Sequence, residues 1–120
     1  MRQLQLNHVA IHVAEVESSC VFYREVLQLD DIPRPAFNFP GAWFRLGIDQ
    51  ELHLIGGRTV PVTSHHRGTH FALRVDHLDA WESHVRQLGI PLHRQTRPDG
   101  VLQMYVTDPD GHVIELFQQP

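Results

Sequence analysis

From residue 5 to residue 14 the chain alternates. His8, Ala10 and His12 share one parity and Val9, Ile11 and Val13 the other, which is the period of a half-buried strand. The period then lengthens: Val16, Cys20, Phe22, Tyr23, Val26 and Leu27 recur at three- and four-residue intervals and predict a helix over 15–29. Pro33, Pro35 and Pro40 reduce the next stretch to an irregular edge strand. Strands are predicted at 43–47 and 51–55, followed by a linker rich in Gly, Pro and Ser up to Arg67. The pattern then restarts with a strand at 68–76 and a helix at 78–88 with Gly89 as its cap. An irregular strand at 91–97 and strands at 101–107 and 112–118 complete it, the last two joined by the turn signal Asp108-Pro109-Asp110-Gly111. The order βαβββ is written twice. The expected class is α+β, a single domain over 1–120 with module 1 at 1–57, a linker at 58–67 and module 2 at 68–120.

The repetition is also chemical. Asn7-His8-Val9-Ala10-Ile11-His12-Val13 aligns with Thr69-His70-Phe71-Ala72-Leu73-Arg74-Val75, and Leu52-His53-Leu54-Ile55 with Ile114-Glu115-Leu116-Phe117. His8 and His53 are 45 residues apart, and so are His70 and Glu115. Repeated units generally repeat a whole supersecondary structure, so these residues occupy matched places in two copies. Strand parity sets each of them opposite its strand's apolar row, with Gln103, Tyr105 and Thr107 on the corresponding face of their own strand. Inward polar groups on a sheet are costly unless something satisfies them. Three imidazoles and a carboxylate suit one borderline divalent ion, Zn, Ni, Co, Fe or Mn, so a shared metal site is expected at His8, His53, His70 and Glu115.

Composition narrows the rest. The 120 residues carry a net charge of -4, and all ten basic residues are scattered arginines, so neither nucleic acid nor an anionic membrane is an expected partner. No apolar run is long enough to span a bilayer. The Met-Arg-Gln-Leu-Gln-Leu start shows no signal-peptide h-region, and the single cysteine, Cys20, fits a reducing compartment, so a cytoplasmic location is expected. Of the ten histidines, His65 and His66 are expected to be solvated, and His77, His84, His93 and His112 to lie at the surface. Cys20 reads as a buried helix residue, and Trp43 and Trp81 as core or interface anchors.

Leu6-Asn7-His8-Val9-Ala10-Ile11-His12-Val13, Phe22-Tyr23-Arg24-Glu25-Val26-Leu27, Thr69-His70-Phe71 and Asp108-Pro109-Asp110-Gly111-His112-Val113-Ile114-Glu115-Leu116 together resemble the vicinal oxygen chelate superfamily of glyoxalases, bleomycin-resistance proteins and extradiol dioxygenases. The resemblance covers essentially the whole chain. It implies two βαβββ modules in a curved, mainly antiparallel sheet cup around one metal, helices outside, and a homodimer with a small-molecule substrate. It implies ligands at His8, His53, His70 and Glu115. It also implies metal chelation of an oxygenated substrate with proton transfer of the lyase or isomerase type: Glu115 as base, Tyr105 catalytic or substrate-orienting, Arg74 and His12 toward the substrate. Departures separate the chain from each subfamily. Bacterial glyoxalase I has Glu where His53 stands and Arg where His12 stands. Fosfomycin thiol transferases share His8, His70, Glu115 and Tyr105 but not Ala10. His8, His70 and Glu115 would also make the two-His-one-carboxylate set of an extradiol dioxygenase. Metal-free drug-binding proteins usually lose these positions, and all four stand here.

Overall fold

The protein is described by a computed structural model over residues 3–120. Met1 and Arg2, which open the predicted first module and the N-terminal reading, lie outside the described residues. The chain divides into two compact units, one ending at Val60 and the other comprising Pro61–Pro120.

Unit 1 contains β1 (His8–His12), α1 (Val16–Glu25), β2 (Asp31–Ile32), β3 (Gly41–Leu46) and β4 (Gln50–Ile55). Its sheet runs β1-β4-β3-β2, with β1 parallel to β4 and the other pairs antiparallel. Phe44, Leu46, Leu52 and Leu54 alternate onto one face, and α1 packs Phe22 and Tyr23 against it. Tyr23, Phe44, Leu52 and Leu54 are almost wholly buried, each worth about 1.5–3 kcal/mol of hydrophobic stabilisation. The helix is shorter than its apolar pattern. Val26 and Leu27 remain buried just beyond it, then Gln28 takes φ 55 and the Leu29 N–H donates to the Tyr23 carbonyl at 3.0 Å. β2 has two residues, as its flanking prolines dictate. Gly41 opens β3 because a Cβ there would collide with the Leu54 carbonyl.

Unit 2 repeats the plan with β5 (Phe71–Arg74), α2 (Leu78–Gln87), β6 (His93–Thr96), β7 (Leu102–Thr107) and β8 (Val113–Gln118), ordered β5-β8-β7-β6 with β5 parallel to β8. Leu78 and Val85 of α2 cover Met104, Val106, Ile114 and Leu116. Gln118 Oε1 accepts the Leu78 N–H at 2.7 Å, supplying the N-terminal cap that His77 does not. At the other end Gly89 has φ 72. Its N–H donates to Arg86 O, and that of Ile90 to Val85 O, the bond pair of a Schellman cap.

Each unit is thus a mixed, mainly antiparallel sheet with one helix on one face, the α+β class expected. Each sheet is open, its edge strands being β1 and β2 or β5 and β6, and neither closes on itself. Among the described residues no helix is long and apolar enough to cross a membrane.

Candidate functional site

The β5-β8-β7-β6 register builds the polar face of unit 2 in a row. Ala72 pairs with Glu115, Glu115 with Tyr105, and Tyr105 with His93. Glu115 is a buried carboxylate, 6% exposed, on the face away from α2. Its Oε1 lies 3.0 Å from His70 Nε2, and its Oε2 accepts from Gln103 Nε2 at 3.0 Å. Tyr105, its directly paired neighbour on β7, feels its charge. Gln103 Oε1 accepts in turn from Gln95 Nε2 at 2.8 Å, and Gln95 Oε1 from His93 Nε2 at 3.2 Å. Burial first, then the charge of Glu115, raises the Tyr105 phenol above its ordinary value. Tyr105 is therefore a protonated donor at neutral pH.

The His70 ring is held in one sense. Its Nδ1 lies 3.2 Å from the carbonyl oxygens of both His65 and Gly68, which only accept, so Nδ1 carries a proton. Nε2 faces the Glu115 carboxylate oxygen, and a contact of that length holds with a proton or a cation between the two atoms. This is the donor arrangement of a metal-binding histidine, whose other ring nitrogen is anchored by a carbonyl.

Unit 1 carries the other pair. Asn7 Oδ1 lies 2.8 Å from His8 Nδ1, which again directs the Nε2 lone pair outward. The His8 ring stacks on His53 at 4.1 Å between centroids, and His53 stacks on Trp43 at 4.0 Å with 3° between planes. His53 Nε2 donates to Glu51 Oε1 at 2.8 Å, and Glu51 also meets Arg45 at 3.7 Å. His8 and His70 are therefore ready donors, whereas His53 would bind an ion through Nδ1 or by leaving Glu51.

Protein partners correct one expectation drawn from the sequence. The cost of inward polar groups does not by itself require a metal, because Glu115 and His53 have protein partners. Among the described residues no three of His, Cys, Asp or Glu converge as a preformed metal cluster. The donor chemistry of the His70–Glu115 pair nonetheless fits a divalent ion, and within its own unit so does that of His8.

The remaining candidates are dispersed. His12 is exposed, and its Nε2 lies 3.1 Å from the Gly56 carbonyl. Arg74 is exposed and lines a cavity of unit 2 with Asp76 and Gln118, separate from Tyr105. Tyr105 instead lines a cavity of about 450 Å³ with Ser64, His65, His66, His93 and Thr107, a size suited to a small ligand. His66 is half-buried there, not fully solvated. Cys20 is buried as expected, and burial raises its thiol.

Asn7 and Gln95 were not singled out by sequence, and His66 and His93 were expected only to be solvated and at the surface. Parity puts Glu51 on the His53 face, as it put Gln103 on that of Tyr105. Nothing in the sequence places the 61–67 loop over the Tyr105 strand.

A family model described as the Glyoxalase/Bleomycin resistance protein/Dioxygenase superfamily matches residues 5–116. The chain is 31% identical to "Glyoxylase I 4" of Arabidopsis thaliana over 92% of its length and 68% of that protein. It is 28% identical to the glutathione transferase FosA of Serratia marcescens, covering 92% of this chain and 78% of that one. Among solved structures, a Bacillus anthracis protein described as glyoxalase family superposes with a TM-score of 0.86 at 28% identity, covering 100% of both chains. With this match over nearly its whole length, the chain belongs to the glyoxalase/bleomycin resistance protein/dioxygenase superfamily.

Proposed function

We propose that the protein is a divalent-metal-dependent enzyme of glyoxalase type that acts on a small oxygenated substrate by chelation and proton transfer, as a lyase or isomerase. The observation that carries this reading is the His70–Glu115 contact: an imidazole anchored through Nδ1 whose Nε2 lies 3.0 Å from a buried carboxylate oxygen. His70 and Glu115 are the proposed donors from unit 2, and His8 and His53, their counterparts in the repeat, those from unit 1. Zn, Ni, Co, Fe or Mn suits this donor set. Bound there, such an ion supplies Lewis-acid polarisation of a carbonyl or hydroxyl oxygen.

The residues divide the remaining work. Glu115 takes the proton from the carbon beside the polarised carbonyl and returns it to the neighbouring position, because it alone of the donors can serve as a carboxylate base. Gln103 holds that carboxylate in place between transfers. The protonated Tyr105 phenol orients a second substrate oxygen. Likeness to a glutathione transferase, with Tyr105 beside Glu115, supports thiol addition at the same site as a second reading.

The test is metal dependence. Protein purified without a His-tag and reconstituted should retain close to one equivalent of a divalent ion, since four proper ligands bind tightly. Retention of less than about a tenth of an equivalent would sink the reading. Screening carbonyl, hemithioacetal, epoxide and catechol substrates should reveal a turnover that a chelator abolishes. A chelator-insensitive drug-binding activity with no turnover would assign the protein to sequestration. A cytoplasmic, homodimeric protein is the form proposed, with sedimentation at micromolar concentration as the check.

A further inference from the structure

The cavity beside Tyr105 has a composition that proton transfer at Glu115 does not use. His66 centres its wall: its ring lies 4.3 Å from that of His65, 5.5 Å from His93 and 5.4 Å from Tyr105. His93 stacks on Tyr105 at 6.1 Å. No carboxylate lines the cavity. Glu115, on the strand paired with that of Tyr105, is already committed to His70 and Gln103. Imidazole N–H groups, with no acid among the lining residues, give this wall hydrogen-bond donors for an anionic oxygen.

We propose that this cavity is an anion subsite. His66 and His93 would receive an anionic oxygen group of the substrate, a carboxylate or a phosphonate-type group, while the reacting oxygens lie toward Glu115. The inference deepens the function proposed above and rests on it for the position of the chemistry, but the subsite stands on its own geometry. Tyr105 joins the two regions. It is the strand partner of both Glu115 and His93, so one small molecule can present its charged group to the imidazoles and its reacting end to the carboxylate.

A second metal site is the competing reading of clustered imidazoles, and two observations weigh against it. No three potential ligands converge among the described residues. Burial first, then the charges of His65, Arg67, His93 and His70, hold the His66 imidazole below its ordinary value. The charge contribution disfavours a cation at His66 as it disfavours a proton. Arg74, which sequence pointed to as the substrate-carboxylate partner, lines a different cavity that it shares with Asp76.

The experiment is imidazole-detected NMR on the full chain in chelator, titrated with inorganic phosphate at constant ionic strength. The His66 and His93 ring signals should move saturably. His66→Gln or His93→Gln should weaken phosphate binding up to about tenfold, the size of one lost hydrogen bond, with circular dichroism unchanged. Arg74→Gln should leave it intact. Glu115→Gln should also leave it intact, so loss of turnover in that variant tests proton transfer and not the subsite. Non-saturating shifts, loss of binding in Arg74→Gln alone, or zinc in chelator-free buffer moving the same two rings while phosphate does not, would each overturn the proposal.

Discussion

The Trp43 indole and the His53 imidazole lie parallel in unit 1, 4.0 Å apart and 3° from coplanar, on directly paired residues of β3 and β4. Phe37 flanks the indole at 6.1 Å, and His8 covers the other face of His53. A candidate metal donor is thus fixed in orientation by an aromatic stack and a carboxylate. His53→Ala removes the stacking and leaves Glu51 one partner short. It should cost about 1 kcal/mol of stability and shift Trp43 emission to longer wavelength, read in a Trp81→Phe background. Unchanged emission would show that the stack does not persist in solution.

The His70–Glu115 pair separates binding from chemistry. Glu115→Gln keeps an oxygen that can still face an ion but abolishes the base, so metal content should largely persist while turnover falls by about two to four orders of magnitude. His70→Ala should lose metal and turnover together. Metal analysis alongside kcat distinguishes the two. Full activity in Glu115→Gln would remove proton transfer and bring thiol addition forward.

Tyr105 should titrate above the ordinary phenol value of 10.0. Its folded value is raised, so the stability it contributes is fully present below pH 10 and is lost as pH climbs through the folded value. The ultraviolet phenolate signal that Tyr105→Phe removes should therefore appear only above pH 10. Glu115→Gln should bring it downward but not fully back, because burial, the larger cause, remains. A Tyr105 midpoint at or below 10 would contradict the buried phenol beside Glu115.

Most of the fold was legible because period and punctuation agree. The alternation at Leu52 and Leu54, the Gly89 cap and the Asp108–Gly111 turn each fix local geometry without tertiary help. Element ends were less so. Val26 and Leu27 continue the helical pattern yet lie past α1, where Gln28 turns the chain back to Tyr23. Residues 68–70 and Val75 read as strand but lie outside β5. The repeat located His8, His53, His70 and Glu115, since spacing is a sequence property. It gave no sign of the His66–Tyr105 contact, which depends on side-chain direction and on where a loop settles.

The β7–β8 turn sets the register that brings Tyr105 opposite Glu115, and Asp108 holds that turn. Asp108 is 4% exposed, and its Oδ1 accepts the N–H groups of Asp110 and His112, both at 2.9 Å. Its own N–H donates to the His112 carbonyl at 2.8 Å, and its carbonyl accepts from Gly111. The φ of 103 at Gly111 completes the reversal. Asp108→Ala strands two backbone donors in a half-buried turn and should destabilise the protein by about 1–3 kcal/mol. The loss should appear as a lower denaturant midpoint at unchanged slope. Asp108→Asn keeps an acceptor oxygen in the same place and should recover most of the loss. If alanine and asparagine cost the same, the side-chain bonds are not what holds the turn, and the Tyr105–Glu115 register must be secured by the strands alone.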